Sequence, residues 1–205
     1  MKNIRRGLYY FFGKVYIPEE IMNCKEEKLL HISDTPSSFY SGLNQLIQKL
    51  NPKYIVHTGD MVDNIKLELY PSKRKLYRDK VKILIDMLED SSADRIYIVM
   101  GNHDDYEIVS DYAKRSTIIK ESSIIDIDNI QYKVSHFSKD VANTSAKYNL
   151  FGHDLAMISR IEKDKVYLNG ITGINIIALK SGKIFVLPYP YGTNDDRMCK
   201  SNIGL

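Results

Sequence analysis

The sequence predicts an α/β fold from two observations. In the first half of the chain, an apolar strand, a polar loop and an amphipathic helix follow one another three times. In the second half, short apolar runs flank turn-forming residues in three places, a pattern typical of β-hairpins. Strand and helix units followed by hairpins indicate a mixed sheet or two stacked sheets, with ligands gathered at the carboxyl ends of the strands.

A polar loop ends the apolar run of each of the three strand and helix units. These loops begin with Ser33, Thr58 and Gly101. The strands are predicted at residues 29–32, 54–57 and 96–100. The helices are predicted at residues 39–50, 73–88 and 106–113. The hairpins are predicted to pair residues 124–126 with 130–134, 157–161 with 166–168, and 174–179 with 184–187.

No linker rich in Gly, Pro or Ser divides the chain, so residues 28–205 are predicted to form one domain. Residues 1–27 are predicted to be a lead-in that packs its aromatic side chains on this domain. Their basic start and the aromatic stretch at residues 8–12 look like a signal peptide, but Lys14 interrupts the stretch and no small-residue cleavage site follows. A helix that binds a membrane surface or a partner is the alternative interpretation.

Composition and charge exclude several classes of protein. The 205 residues carry a formal net charge of +3, which is too small for a protein that coats a polyanion. Cys24 and Cys199 form no CxxC or Cys-His spacing, which argues against a disulfide framework or zinc finger and favours a cytoplasmic location. No apolar run approaches the roughly 18 residues of a transmembrane helix, so no membrane segment is predicted.

Residues that can bind a divalent metal stand at five strand ends. These residues are Asp34, Asp60, Asn102 with His103, His136 and His153. A single Asp or His at a strand end is usually a cap or turn residue, but five such positions together indicate a metal site. Carboxylate, amide and imidazole ligands suit Mn, Fe, Ni or Zn. The other two histidines, His31 and His57, lie inside apolar runs and are predicted to be core residues bonded to a neighbour.

In order and spacing, several motifs resemble those of the calcineurin-like metallophosphoesterase superfamily. These motifs are Ser33-Asp34-Thr35, Gly59-Asp60-Met61-Val62-Asp63, Gly101-Asn102-His103-Asp104, His136 and Gly152-His153. The resemblance extends from residue 28 to about residue 188. It implies a four-layer αββα sandwich of mixed β-sheets flanked by helices, and metal-dependent hydrolysis of phosphomonoesters or phosphodiesters.

The resemblance also implies the ligands of two metal positions. It makes Asp60 the carboxylate that bridges both positions, and it places Asp34 at the first metal position. The second metal position is completed by Asn102, His136 and His153.

Two further residues receive catalytic roles from the resemblance. It implies that His103 assists the departure of the leaving group and that Asp104 orients His103. Such roles make chemical sense, because an imidazole with a near-neutral pKa donates a proton and a carboxylate partner fixes its tautomer.

Two histidines of the first metal position are missing. Pro36 and Leu155 stand where the family has histidines, in its Asp-x-His and Gly-His-x-His motifs. Neither side chain has a donor atom, so we predict one tightly bound metal ion per chain. If two ions bind, the substitute ligands to consider are Ser37, Asp154 and His31.

The same loss predicts that hydrolase activity is lowered or absent. It favours an alternative, a binding or scaffold protein on the same fold, as in the retromer subunit that resembles these enzymes. Retention of His103 and Asp104 favours the enzyme, because a scaffold needs no proton donor.

A basic stretch with interleaved tyrosines lies at residues 66–82. Such a stretch can follow a nucleic-acid backbone, but a solvated face of the second helix is the favoured interpretation. Together with the small net charge, it favours a small phosphate ester over nucleic acid as the substrate.

Overall fold

Two β-sheets pack face to face in the computed structural model, which describes residues 2–197. Cys199 lies outside these residues. The strands are β1 (Lys28–Ile32), β2 (Tyr54–His57), β3 (Arg95–Val99), β4 (Thr117–Ile119), β5 (Ser122–Ile127), β6 (Ile130–Ser135), β7 (Tyr148–Phe151), β8 (Arg160–Glu162), β9 (Lys165–Asn169), β10 (Ile174–Ala178) and β11 (Ile184–Leu187). The α-helices are α1 (Lys2–Phe11), α2 (Glu19–Asn23), α3 (Tyr40–Leu50), α4 (Arg74–Glu89), α5 (Tyr106–Tyr112) and α6 (Thr193–Arg197).

The six-stranded sheet has the order β11-β10-β1-β2-β3-β4. Strands β1 to β4 are parallel to one another, whereas β10 and β11 are antiparallel to their neighbours. Nearly all residues of β1 to β3 are buried, which explains why their sequences are continuous apolar runs. Helices α3 to α5 cover one face, where Leu30 and Ile32 of β1 share an apolar cluster with Leu43, Leu84 and Ile108.

The five-stranded sheet, of order β5-β6-β7-β9-β8, covers the opposite face. Leu29, which points away from Leu30, belongs to the apolar layer between the sheets. In this layer Tyr132 and Tyr148 stack with ring centroids 4.7 Å apart. The outer face of the five-stranded sheet carries a smaller apolar cluster and a 3₁₀ turn at Ser138–Val141. The predicted α/β sandwich of mixed sheets flanked by helices is confirmed, with its longer helices on the six-stranded sheet.

The predicted hairpins are confirmed as the antiparallel pairs β5 with β6, β8 with β9, and β10 with β11. The predicted helices correspond to α3, α4 and α5, and the first of them is preceded by a 3₁₀ turn at Ser37–Phe39. Strand β4 is not among the predicted elements, because a strand of three residues is too short to show a periodic pattern.

The N-terminal residues pack on the six-stranded sheet through fewer aromatic side chains than predicted. Val15 and Ile21 join the apolar cluster on the helical face, and Tyr10 is buried. Phe11 and Phe12 are instead 77% and 67% exposed. The division into a lead-in of residues 1–27 and one following domain stays a prediction. Among residues 2–197, no helix is both long and apolar enough to cross a membrane.

The prediction that His31 and His57 are core histidines is confirmed. Both are fully buried, and each contacts a threonine hydroxyl. His31 Nε2 lies 3.0 Å from Thr58 Oγ1, and His57 Nε2 lies 2.9 Å from Thr35 Oγ1. Burial lowers the pKa of His31 to about 3 and that of His57 to about 4, so both rings are neutral at pH 7.

We expect the free energy of unfolding to fall as the pH drops below about 6.5, because the unfolded chain then protonates a histidine that the folded chain keeps neutral. For His31, with a folded pKa of about 3, the loss between pH 7.5 and pH 5 is about 2 kcal/mol. Urea denaturation at the two pH values, with a chelator present, measures it. The loss should be smaller in His31→Gln, and an unchanged pH dependence in this variant would contradict the expectation.

Candidate metal centre

The polar loops that follow β1, β2, β3, β6 and β7 meet at one end of the two sheets. The Asp34 N–H donates to the Gly59 carbonyl at 2.9 Å, and the His153 N–H donates to Asp34 Oδ2 at 3.1 Å. The His103 N–H donates to Asp60 Oδ1 at 3.0 Å. The structure therefore brings together strand-end residues from both halves of the chain.

Left-handed backbone conformations aim several of these residues into the site. Asp34, Asp60 and His153 have φ angles of +49°, +56° and +70°. Residues other than glycine rarely adopt such positive φ angles. Gly59 has a φ of +96°, and a Cβ atom there would lie 2.6 Å from His136 Nδ1. Such strain at several neighbouring positions is typical of a functional site.

The four residues expected at the second metal position converge on one point. His136 Nε2 lies 3.0 Å from Asn102 Oδ1 and 3.1 Å from His153 Nδ1. It also lies 3.5 Å from Asp60 Oδ2. One ligand atom each from Asp60, His136 and His153 can be chosen so that all three lie within 4.8 Å of one another. Burial and the neighbouring His136 lower the pKa of His153, which favours its neutral, metal-binding form.

Neighbouring groups fix which atoms face this point. His136 Nδ1 donates to the Thr58 carbonyl at 2.7 Å, because a carbonyl oxygen only accepts, and this contact turns Nε2 toward the other donors. The Asn102 amide nitrogen donates to the Glu68 carboxylate at 2.5 Å, which turns Oδ1 toward His136. Asn102 Oδ1 and His136 Nε2 are 3.0 Å apart, close enough to bind one cation together. This donor set therefore fits a divalent transition metal ion.

The Asp104 carboxylate holds the backbone of two loops rather than the His103 ring. Its donors are the N–H groups of Asp60, Met61 and Gly101, at 2.8, 2.8 and 2.9 Å, and the hydroxyl of Tyr77, at 2.8 Å. Within residues 2–197, no donor to Asp104 comes from the His103 ring. The four donors give Asp104 contacts that position the Asp60 and Asn102 loops, and its expected role of orienting His103 stays a prediction.

Glu68 is the carboxylate that lies near the His103 ring, with Oε2 3.6 Å from Nδ1. Sequence reasoning missed Glu68, which lies in the loop between β2 and α4, where no helical or strand spacing marks it. Burial and the positive charge of Lys66 lower the pKa of His103 to about 4, so the ring is neutral at pH 7 without a ligand.

Around Asp34 and Asp60, the residues expected at the first metal position, lie a third carboxylate and a lysine. Asp34, Asp60 and Asp63 are at most 2% exposed, and the Lys66 ammonium forms an ion pair with Asp63. Burial, followed by the charge of Asp34, raises the pKa of Asp63 to about 6. The same two causes, in the same order, raise the pKa of Asp60 well above its usual range. Neither Asp63 nor Lys66 was predicted as a site residue.

Two of the residues considered as substitute ligands, His31 and Asp154, contact other partners through their side chains. His31 contacts Thr58 and Asn175, as a core histidine does. The Asp154 carboxylate accepts the Ser138 hydroxyl and the Ala156 N–H, and Ser37 donates its N–H to Asn64. Pro36 is buried beside the site, and Leu155 lies at its rim with 53% of its surface exposed.

A cavity of about 220 Å³ opens onto these residues. Its polar lining consists of Asp34, Asp60, Lys66, His103, His153 and Arg197. Arg197 is 1% exposed, and its guanidinium lies 3.8 Å from the centroid of the Tyr189 ring. The cavity is large enough for a phosphate group and a small part of its ester.

Several cations of the basic stretch are paired with acidic side chains on the surface. Arg74 contacts Asp105 at 2.6 Å and Glu107 at 3.0 Å, and Arg78 contacts Asp111 at 3.0 Å. These pairs join α4 to α5 and its N-cap, as expected for a solvated helix face.

Comparisons with known proteins identify similar proteins. The family model described as calcineurin-like phosphoesterase matches residues 27–192. No curated protein matches the chain significantly. Among solved structures, an archaeal phosphodiesterase is 16% identical with a TM-score of 0.56, over 78% of this chain and 99% of that chain. Yfce, a phosphoesterase from E. coli, is 13% identical with a TM-score of 0.51, over 80% of this chain and 99% of that chain.

We expect Asp104→Asn to destabilise the protein by about 3 kcal/mol. The new NH₂ group takes the place of a carboxylate oxygen that accepts two hydrogen bonds, and its donors are left without an acceptor. Tyr77→Phe removes one of the four donors and should cost about 1 kcal/mol. Urea denaturation with a chelator present measures both. Glu107→Gln, which changes an exposed ion pair, is the control and should shift stability by less than about 0.5 kcal/mol. Equal effects of Asp104→Asn and Glu107→Gln on stability would contradict the positioning role of Asp104.

Proposed function

Because this chain belongs to the calcineurin-like phosphoesterase family, we propose that it hydrolyses small phosphomonoesters or phosphodiesters with one tightly bound divalent metal ion. The observation that carries the proposal is the convergence of four donors at the second metal position. These donors are Asp60, Asn102, His136 and His153.

Mn, Fe, Ni or Zn suits these ligands, because imidazole, carboxylate and amide oxygen together match transition metals better than calcium. Such an ion, when bound, supplies a Lewis acid that withdraws charge from a phosphoryl group and lowers the pKa of a water molecule. The protein's own contribution is to hold the donors in place before the ion arrives.

Each donor is oriented by a neighbour. The Thr58 carbonyl fixes the tautomer of His136, and Glu68 fixes the direction of the Asn102 amide. The N–H of His103 holds one oxygen of Asp60, which leaves Oδ2 on the side of His136. Such preorganisation is what a catalytic site needs, because the donors do not have to rearrange during the reaction.

His103 is proposed to assist the leaving group. It lines the cavity, and its ring is neutral in the absence of a ligand. A bound phosphate brings negative charge, which raises the pKa of His103, and Glu68 near Nδ1 acts in the same direction. The ring can then carry the proton that a departing alkoxide requires. Asp104 acts through the loops as a positioning residue.

The substrate is proposed to be a small phosphate ester. The cavity of about 220 Å³ holds a phosphate group, and three arginine–carboxylate contacts of the basic stretch leave these arginines poorly placed to follow a polynucleotide. The proposed location is cytoplasmic, because Cys24 and Cys199 form no spacing typical of a disulfide framework.

We expect protein purified without added metal to contain close to one equivalent of a transition metal. His136→Ala should bind Mn²⁺ more than about 100-fold more weakly, because it removes the ligand at the centre of the donor set. Elemental analysis and equilibrium dialysis measure content and affinity. His31→Gln is the matched control, since it changes a histidine outside the site. Two tightly bound ions in wild type would contradict the single-ion proposal.

We expect His103→Ala to lower kcat/KM by about 100-fold or more for phenyl phosphate esters in the presence of Mn²⁺. The loss should be much smaller for p-nitrophenyl esters, because p-nitrophenolate leaves without needing a proton. Steady-state kinetics on both esters, at equal metal content, measures the difference.

Equal losses on the two esters would refute proton donation by His103. If wild type and His103→Ala do not differ on either ester, the hydrolase proposal fails, and the binding or scaffold alternative takes its place.

A further inference from the structure

The first metal position lacks two histidines and concentrates negative charge that needs a counterion. Asp34, Asp60 and Asp63 are 1%, 2% and 0% exposed. Three buried carboxylates in one site repel one another strongly, and their charged forms are stable there when cations compensate them.

Lys66 brings a cation into this site from the loop between β2 and α4. Its side chain is 14% exposed, its ammonium pairs with Asp63 Oδ1, and it lines the same cavity as Asp34 and Asp60. Its backbone adopts a φ of +51°, a conformation that lysine rarely takes. Four other cations of the basic stretch contact surface carboxylates or a ring, so Lys66 differs from these neighbours in sequence; they are Lys73, Arg74, Arg78 and Lys82.

Asp63 carries a second indication of a missing partner. Within residues 2–197 its Oδ2 atom is buried and has no hydrogen-bond partner. Asp63 also forms, with Asp60 and His103, a group whose ligand atoms lie within 4.8 Å of one another. A buried, unpaired carboxylate oxygen is a metal donor as soon as the competing ammonium is removed.

We propose that the ammonium of Lys66 is the resident cation of the first metal position and takes the place of a second metal ion. The proposal rests on the proposed function in one respect, that a divalent ion fills the second metal position. That ion and one ammonium together balance the charges of Asp34, Asp60 and Asp63. With Lys66 in place, the charge of the three carboxylates is balanced without a second metal ion. The two missing histidines, which would bind that second ion, are then not needed.

The proposal also gives Lys66 a task toward the substrate. A lysine ammonium is a point charge with three donors, able to contact a phosphoryl oxygen while it stays paired with a carboxylate. It thus supplies positive charge to the phosphate on the side where Pro36 and Leu155 provide no ligand.

The test is the number of Mn²⁺ ions bound per chain, measured by equilibrium dialysis. Lys66→Met removes the charge and keeps a side chain of similar length. Lys66→Gln removes the charge but keeps a hydrogen-bond donor for Asp63. Each is expected to bind one more ion than wild type. Lys66→Arg, which keeps the charge, and Lys82→Met, which removes a lysine from an exposed pair with Asp86, are expected to match wild type.

An additional ion in either uncharged Lys66 variant, with none in the two controls, supports the proposal. An unchanged number in both variants, or the same increase in Lys82→Met, overturns it. If a variant is unfolded without metal, Mn²⁺ should restore the folded circular-dichroism spectrum by replacing the ammonium, and failure to do so also overturns the proposal. The number of ions in wild type tests the proposed function separately, because only the difference between variant and wild type tests Lys66.

Discussion

The carboxylate of Asp104 is the constraint on which the site depends. It accepts backbone N–H groups from the loop after β2 and from the loop after β3, and the Tyr77 hydroxyl of α4 completes its set of donors. Two loops that carry different site residues thereby become one rigid unit. Because Asp60 and Asn102 belong to these loops, their separation is set before any ligand binds. A side chain that touches no substrate thus determines the geometry of those that do.

Negative charge explains the rest of the arrangement around Asp104. A chain of hydrogen bonds orients His136 and Asn102 toward one point. It begins at the Thr58 carbonyl, passes through His136 and Asn102, and ends at the Glu68 carboxylate. Next to it, Asp34 and Asp63 add charges that water does not reach. The loop between β2 and α4 brings a cation, Lys66, to the same place, and in the proposed site Lys66 and one metal ion together balance this charge.

The sequence predicts the sandwich and the strand-end residues well, because apolar runs of β1 to β3 and the polar loops behind them are local signals. It does not predict Glu68, Asp63 or Lys66 as site residues. All three lie between β2 and α4, in a segment whose path is set by contacts with Asp104 and with other loops rather than by any periodic pattern. The contacts of Asp104 with the two loops are not predicted for the same reason, since only the folded chain shows which donors reach its oxygens.

The four proposed metal donors are divided between the two sheets. Asp60 and Asn102 follow strands of the six-stranded sheet, whereas His136 and His153 follow strands of the five-stranded sheet. A small shear of one sheet over the other therefore changes the distances between these pairs together. Side chains between the sheets, among them the stacked Tyr132 and Tyr148, limit this shear. They therefore limit how far the distances between the donors can change. Selectivity among metals of different radius is thus partly a property of the apolar layer, whose side chains are not themselves ligands.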